Sequence, residues 1–305
     1  VSPVARMAAA HGELQGSVLP ANKEKKEVSS MQIYSEGVVD TKEFSNWPFD
    51  ITGGGAPNVW RSEFDNWLTE SSRAEILDQC KAVGFEKNGN SVELFCRKVG
   101  GELKFKCKYL ISGEGGSSSL RAKLDPVFEN SVDWFFGYQN YYEGSCGLDP
   151  LYYHGFLDRS LSDVYAWFNI KDDLLVFGTA VRRGHKLSPY LANFIRYLEK
   201  NFDMKLVKLK RKASCIGNDM GATDRFFLGK DNILIVGEGA GFLNMFGEGI
   251  SSALATGMLA GEAICESLNS NKNAVSIYQE MAEDEIKYTK RSCKLGEKIA
   301  GRKVM

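Results

Sequence analysis

The segment that decides the fold is residues 232–250, with the sequence NILIVGEGAGFLNMFGEGI. Residues 233–236 form a short run of branched apolar side chains, the pattern of a parallel β-strand buried on both faces. Glycines follow where the backbone must turn and approach another group closely. Residues 250–264 predict a helix rich in small residues. A strand, a glycine-rich turn and a helix N-terminus together predict an anion or cofactor site, because free N–H groups and the positive end of the helix dipole point at the ligand.

This motif resembles the second flavin-binding signature of the FAD-dependent oxidoreductases with the para-hydroxybenzoate hydroxylase fold, and most closely their geranylgeranyl reductase branch. The resemblance implies FAD as the cofactor. Gly237 and Glu238 take the place of a Gly-Asp pair whose acidic residue holds the ribitol. The resemblance also implies that Gly247, Gly249 and Ile250 lie beside the isoalloxazine. The alternative is a glycine-rich strand–helix connection in an unrelated α/β protein.

An upstream segment, residues 108–121 (KYLISGEGGSSSLR), supports the same interpretation. It resembles the middle motif of the family, an apolar strand followed by Gly-Ala-Asp-Gly, a serine and an arginine. The residues that this resemblance places near the flavin are Gly113, Gly116 and Arg121. Glu114 and Gly115 stand where the family carries alanine and aspartate.

A third segment, residues 59–68 (VWRSEFDNWL), predicts a helix. Ser62, with Asp65 three residues later, resembles a capping box at the helix start. Apolar residues at helical spacing predict a core-facing side formed by Phe64, Trp67 and Leu68. The family carries an arginine at the position of Arg61, so the resemblance implies a flavin contact there; an ordinary surface ion pair is the alternative.

Composition limits the function. The 305 residues carry a formal net charge of −1, which argues against a nucleic-acid partner. Seven widely spaced cysteines without a CxxC pair, with only three histidines, predict reduced thiols and no metal site. Neither a cleavable signal sequence nor an apolar run of membrane-spanning length is recognised. The sequence therefore predicts a cytoplasmic protein, with peripheral membrane contact as an open option.

The dinucleotide fingerprint G-x-G-x-x-G does not occur in the sequence. Residues 2–12 resemble the helix that normally follows that loop, and residues 16–27 resemble the second strand with its acidic end. Glu24 or Glu27 is then the carboxylate expected to meet the adenosine ribose. We expect an N-terminally truncated flavoprotein rather than a degenerate relative, because the resemblance begins just past the loop and continues along nearly the whole chain.

The fold class expected from these segments is mixed α/β. A Rossmann-like, FAD-binding domain of the glutathione-reductase type, N-terminally incomplete, is formed by residues 1–126 and 213–268. An antiparallel-sheet substrate domain spans residues 127–212, and residues 269–305 form a helical segment. Within the first domain, residues 74–85, 91–97 and 102–107 predict three antiparallel strands, with turns at Asn88-Gly-Asn90 and Gly100-Gly101.

Residues 165–171 (YAWFNIK) resemble the Tyr-x-Trp-x-Phe-Pro-Lys motif of archaeal geranylgeranyl reductases, which is associated with the substrate cavity. Tyr165 and Trp167 are therefore predicted to line an apolar cavity, with core packing as the alternative. Lysine-rich residues 205–212 predict an exposed strand, and 287–303 a helix with a cationic face. Both are expected to be solvated faces; docking to anionic lipids or to an acidic electron donor is the competing interpretation.

The resemblance implies a flavin-dependent reductase that saturates C=C bonds of an isoprenoid lipid by hydride transfer from reduced FAD, with NAD(P)H or ferredoxin as electron donor. No side chain identifies itself as the proton donor, so no catalytic residue is assigned. One alternative is an FAD-dependent monooxygenase or hydroxylase of the same fold. Another is a non-catalytic relative that binds substrate without the cofactor.

Overall fold

The computed structural model describes residues 27–28, 30–34, 56–57, 60–150, 152–244, 247, 249–270 and 272–300. Glu24 lies outside these residues. The strands are β1 (Glu27–Val28), β2 (Ser30–Tyr34), β3 (Ala56–Pro57), β4 (Cys80–Asn88), β5 (Ser91–Lys98), β6 (Gly101–Cys107), β7 (Leu110–Ser112), β8 (Trp134–Ser145), β9 (Tyr152–Phe156), β10 (Ala166–Lys171), β11 (Leu174–Arg182), β12 (Lys205–Asn218), β13 (Gly229–Lys230) and β14 (Ile233–Ile235). The α-helices are α1 (Arg61–Ser71), α2 (Ser119–Leu124), α3 (Pro126–Glu129), α4 (Leu187–Phe202), α5 (Ile250–Asn269), α6 (Ala274–Met281) and α7 (Glu283–Ala300).

The chain divides into two compact units. The first comprises the described residues up to Ala74 together with Phe135–Ile216. The second comprises Glu75–Trp134 together with the described residues from Gly217 onward. Helices and both kinds of sheet are present, which confirms the mixed α/β class. The finer division predicted from the sequence, with a separate segment 269–305, stays a prediction.

The first unit is built on a six-stranded sheet with the order β12-β8-β11-β10-β9-β2. Its described pairs are antiparallel except that β2 runs parallel to β9. Helix α4 covers one face, where Phe194 packs edge-on against Phe156 with ring centroids 5.0 Å apart. Strand β12 lies at one end of the sheet order and is exposed over most of its length, as the lysine-rich segment predicts.

The second unit contains the segment that decides the fold. Ile233, Leu234 and Ile235 are fully buried in β14, which pairs in parallel with β7 and antiparallel with β13. The prediction of a buried parallel strand is confirmed. A separate three-stranded antiparallel sheet has the order β4-β5-β6, with turns at the two predicted Gly-containing positions. Its Phe85 and Val92 join β14 and helices α5 and α6 in one hydrophobic core.

Two local predictions, a helix cap and a strand start, are wrong, and a third is confirmed only in part. The capping box at Ser62 is wrong, because α1 begins after Trp60 without a side-chain cap, and the Asp65 carboxylate accepts a hydrogen bond from Arg61 Nε at 2.5 Å instead. The core-facing side of α1 is only half-buried, since no residue of this helix is buried. The first strand of the meander begins at Cys80 rather than at residue 74, after Gln79 adopts a left-handed φ of 51°.

Within the part of the chain that the structure describes, no helix has the length and apolar character needed to cross a bilayer. Among the same residues, no group of three or more histidine, cysteine, aspartate or glutamate side chains could hold a metal ion.

Candidate functional site

The turn after β14 brings the chain very close to helix α5. Gly237 begins a short 3₁₀ turn with a φ of 60°, a conformation that side chains rarely adopt. A Cβ at Gly237 would lie only 2.9 Å from Ala253 Cβ, so glycine is also needed for the approach of the helix. The Gly237 N–H donates a hydrogen bond to Thr256 Oγ1 at 2.9 Å. Close packing and a hydrogen bond within the protein therefore hold this turn against α5.

In this turn, Glu238 has a side-chain oxygen that lacks a hydrogen-bond partner. Its Oε1 atom is buried and has no hydrogen-bond partner. A Cβ added at Gly116 would lie 2.5 Å from that oxygen, so the carboxylate rests directly against the Gly116 backbone. Burial raises the pKa of Glu238 from 4.5 to about 7, although the Arg121 guanidinium and backbone N–H groups of Gly116 and Asn218 oppose the shift. A buried acceptor without a donor is costly, so this oxygen is suited to accept a hydrogen bond from a ligand hydroxyl.

The facing turn, between β7 and α2, contains Gly113 and Gly116. Here Glu114 anchors the start of α2, because its carboxylate accepts hydrogen bonds from the Leu120 N–H at 2.9 Å and from Ser119 Oγ at 2.7 Å. Burial alone would raise the pKa of Glu114, but these and further hydrogen bonds from Ser118 and Ser112 hold that pKa below its usual value. In the sequence, Glu114 is recognisable only as a departure from the family motif, because its anchoring role depends on contacts that form in the folded turn.

Arg121 and Asn218 join the two glycine turns. Arg121 is fully buried and donates from Nη1 to the Gly239 carbonyl at 2.5 Å and from Nη2 to the Gly116 carbonyl at 2.9 Å. Its Nε donates to Glu129 at 2.8 Å. Asn218 Nδ2 lies 3.2 Å from the Glu238 carbonyl oxygen and 3.4 Å from that of Gly116. The described hydrogen bonds of Arg121 all go to protein groups, and its contact with a flavin stays a prediction.

The N-terminus of α5 follows the same turn in the chain. Gly249 is the N-cap residue and, as a glycine, has no side chain to cap this end of the helix. The first turn carries no acidic residue, and Ile250 is 38% exposed. Gly247, with a φ of 70°, precedes this end and donates its N–H to the Asn244 carbonyl. An uncapped helix start leaves backbone N–H groups and the positive dipole end available to an electronegative ligand atom.

The predicted cavity residues lie in the first unit. The Trp167 indole packs against glycine, because a Cβ at Gly178 would lie 2.5 Å from Trp167 Cζ2, and its Nε1–H donates to Gln139 Oε1 at 2.9 Å. The Tyr165 hydroxyl lies 3.5 Å from that of Tyr153. Burial raises the pKa of Tyr165 to about 12, so the phenol stays protonated at neutral pH. Both side chains are buried, and cavity lining stays a prediction.

The structure thus brings one group of predicted residues together. Within the second unit the two turns are hydrogen bonded or in contact through Gly116, Arg121 and Glu238. The same unit also contains the other predicted cofactor residues Gly113, Gly237, Gly247, Gly249 and Ile250. The residues that belong to the first unit are Arg61, Tyr165 and Trp167. Arg61 is exposed on α1 and pairs with Asp65.

Sequence reasoning missed two residues of this arrangement, Asn218 and Thr256. Each reaches the turn after β14 from a distant part of the chain, Asn218 from the end of β12 and Thr256 from the second turn of α5. Neither belongs to a glycine motif. The sequence offered no signal for Asn218. For Thr256 it offered a weak signal, because this is the one polar residue in a stretch of small residues.

Comparison with solved structures defines the class of fold. A geranylgeranyl bacteriochlorophyll reductase-like protein from Thermoplasma acidophilum aligns with a TM-score of 0.73 at 16% identity, over 96% of this chain and 76% of that one. The myxobacterial FAD-dependent halogenase CndH aligns with a TM-score of 0.62 at 17% identity, over 93% and 69%. CtdE, solved in complex with FAD, aligns with a TM-score of 0.63 at 12% identity, over 100% and 79%. This chain therefore has the fold of the FAD-dependent flavoproteins.

Among curated proteins, the chain is similar to Protein CbrA of Escherichia coli O139:H28 and of Shigella sonnei. The identity is 24% over 202 residues, which are 65% of this chain and 55% of each relative. The chain thus spans about half the length of the curated relatives it matches. No family model matches the sequence.

Proposed function

We propose that this chain is a flavin-dependent oxidoreductase that holds FAD at the two glycine turns of the second unit and reduces C=C bonds of an isoprenoid group. The observation that carries the proposal is the buried, unpartnered Oε1 of Glu238 beside Gly116. The flavoprotein fold and the uncapped start of α5, in the same unit, support it.

The residues present fit the cofactor in two respects. Glu238 would accept a hydrogen bond from a ribityl hydroxyl, because one of its carboxylate oxygens is buried without a donor. The N-terminal end of α5 would face an electronegative edge of the ring system with its positive dipole end, since the N-cap residue, Gly249, has no side chain that caps the helix. Arg121 and Asn218 would hold both turns in place without touching the reacting atoms. FAD, when bound and reduced, would supply a hydride to one alkene carbon, and the other carbon would gain a proton.

The isoprenoid substrate class rests on the resemblance of residues 165–171 to a reductase motif and on the aromatic character of that sheet face. Tyr165 and Trp167 would offer a wall of rings to methyl groups, and burial keeps the Tyr165 phenol protonated. Exposed lysines of β12 and α7 fit peripheral contact with anionic lipids, and NAD(P)H or a ferredoxin-type protein would supply electrons.

The test compares wild type with Glu238→Gln and with Glu262→Gln, a carboxylate exposed on α5 that serves as the matched control. A flavin titration at pH 8, above the pKa of about 7 of Glu238, is followed by fluorescence quenching. It should show roughly tenfold weaker binding for Glu238→Gln, because a charged acceptor is worth about 1.5 kcal/mol more than a neutral one. The Glu262 variant should bind as wild type does. Equal affinity in all three proteins would remove Glu238 from the site.

Activity is tested with dithionite-reduced FAD and geranylgeraniol under anaerobic conditions. The proposal expects products that have gained two hydrogens for each double bond saturated, detected by mass spectrometry. In a parallel aerobic assay, oxygen consumption that depends on NADPH and is stimulated by an aromatic compound, with no saturated isoprenoid, would favour a monooxygenase. A chain that quenches no flavin at any concentration would instead be a non-catalytic relative.

A further inference from the structure

The three-stranded sheet of the second unit carries a pair of cysteines on one face. Strand register places Cys96 of β5 opposite Ala82 of β4, two residues along the strand from Cys80. Because alternate residues of a strand point to the same face, Cys80 and Cys96 are diagonal neighbours across the β4–β5 hairpin. All the cysteines in the described residues are free thiols.

The two thiols lie close enough to influence each other. Burial raises the pKa of the Cys96 thiol, and interaction with the Cys80 thiol raises it further. Cys96 is only 6% exposed, whereas Cys80 is half-buried and can be reached from solvent. Cys80 is thus the more exposed member of the pair, and Cys96 is the more buried one.

The position of Cys80 in the chain allows the small movement that a disulfide needs. Diagonal neighbours in a sheet are about 7–8 Å apart at Cα, whereas a disulfide spans about 4.4–6.8 Å. Cys80 is the first residue of β4 and follows Gln79 with its left-handed φ of 51°. A strand end can shift by this amount while the rest of the ladder is kept. Between Ala82 and Gly84 the register already shifts by a bulge, which separates this end from the buried Phe85.

We propose that Cys80 and Cys96 form a reversible disulfide by exchange with a small-molecule disulfide such as glutathione disulfide. The Cys80 thiolate attacks the external disulfide, which forms a mixed disulfide and releases one glutathione thiolate. Cys96, after losing its proton, attacks the Cys80 sulfur and releases the second glutathione. The protein loses two electrons and two protons, and glutathione disulfide is reduced to two thiols. The product joins β4 to β5 at the open end of their hairpin.

The bond would stabilise the second unit, because it closes a loop that contains the hairpin turn and restricts the unfolded chain. Phe85 and Val92 within that loop belong to the core of the unit. The thermal midpoint of the oxidised protein should rise by on the order of 5 °C and return to its original value after dithiothreitol.

The experiment treats the full chain with glutathione disulfide, blocks free thiols with N-ethylmaleimide, and identifies linked peptides by mass spectrometry. The matched control is Cys107→Ser, because Cys107 lies on the same sheet opposite Val92, away from Cys96. We expect a Cys80–Cys96 linked peptide in wild type and in Cys107→Ser. Cys80→Ser should lose both the linked peptide and the rise in thermal midpoint. Cys96→Ala is the second variant, because alanine is apolar and suits this buried position. It should leave Cys80 as a glutathione adduct.

Three results would overturn the proposal. The first is a glutathione adduct on Cys80 in wild type without a linked peptide. The second is a link from Cys80 to a cysteine other than Cys96. The third is full N-ethylmaleimide labelling of Cys80 after the glutathione disulfide treatment, which would mean that no exchange takes place.

Discussion

Replacement of Glu238 by glutamine should remove a pH dependence of stability that this buried carboxyl creates. Burial raises the pKa of Glu238 from 4.5 to about 7. Between these pH values the folded chain holds a proton that the unfolded chain has released. The stabilisation is therefore fully present below pH 4.5 and is lost as the pH rises through 7. Glutamine has the same shape but does not titrate.

The size of the effect follows from the same two pKa values. Their separation corresponds to about 3 kcal/mol in total, of which about 2.5 kcal/mol falls between pH 5 and pH 8. Urea unfolding of wild type and Glu238→Gln at these two pH values, without added flavin, measures this loss as a double difference, in which the titration of all other groups cancels. Glu262→Gln is the control and should follow wild type. If wild type and Glu238→Gln change in parallel within about 0.5 kcal/mol, Glu238 does not have the buried, proton-binding position described here.

Four further substitutions test the packing around the turns and the sheet by urea unfolding. Gly237→Ala should cost about 2–3 kcal/mol through its φ of 60° and the 2.9 Å approach to the helix, whereas Gly257→Ala, where a Cβ meets nothing within 4 Å, should be stabilising by about 0.5–1 kcal/mol. Arg121→Met should cost about 3–5 kcal/mol because it removes the buried donor of Glu129 and of the Gly239 carbonyl and leaves the Gly116 carbonyl with Asn218 Nδ2 alone; a loss below about 1 kcal/mol would deny its joining role. Gly178→Ala should cost at least about 2 kcal/mol, since its Cβ would lie 2.3 Å from a backbone oxygen of the neighbouring strand, and a neutral effect would contradict the described register.

Local pattern was enough to predict the main elements of the fold. The run Ile233–Ile235 has only branched apolar side chains. Because successive residues of a strand point to opposite faces, such a run indicates a strand that is buried on both faces. Gly89 and Gly100 have positive φ angles, and this requirement is visible in the sequence as turn signals between strands. The capping box failed because a serine and an aspartate at the right spacing cannot reveal that the aspartate is engaged by Arg61.

The candidate site was predictable only in part. Glycines at the two turns stand out in the sequence because few other residues fit there, and Glu238 stands out beside them. The groups that hold these turns together come from far along the chain. Asn218 meets the Glu238 carbonyl across 20 residues, and Arg121 meets the Gly239 carbonyl across 118. Such contacts are set by tertiary packing, which no local pattern encodes.

The most direct test of the central claim, that the two glycine turns of the second unit bind flavin, is amide hydrogen exchange measured by mass spectrometry with and without FAD. We expect slower exchange in peptides that cover residues 113–119 and 236–251, with no change in β4, β5 and β6. The slowing of exchange by FAD should be much smaller in Glu238→Gln at the same FAD concentration. Unchanged exchange in both turns at saturating FAD, or protection confined to other peptides, would contradict the claim.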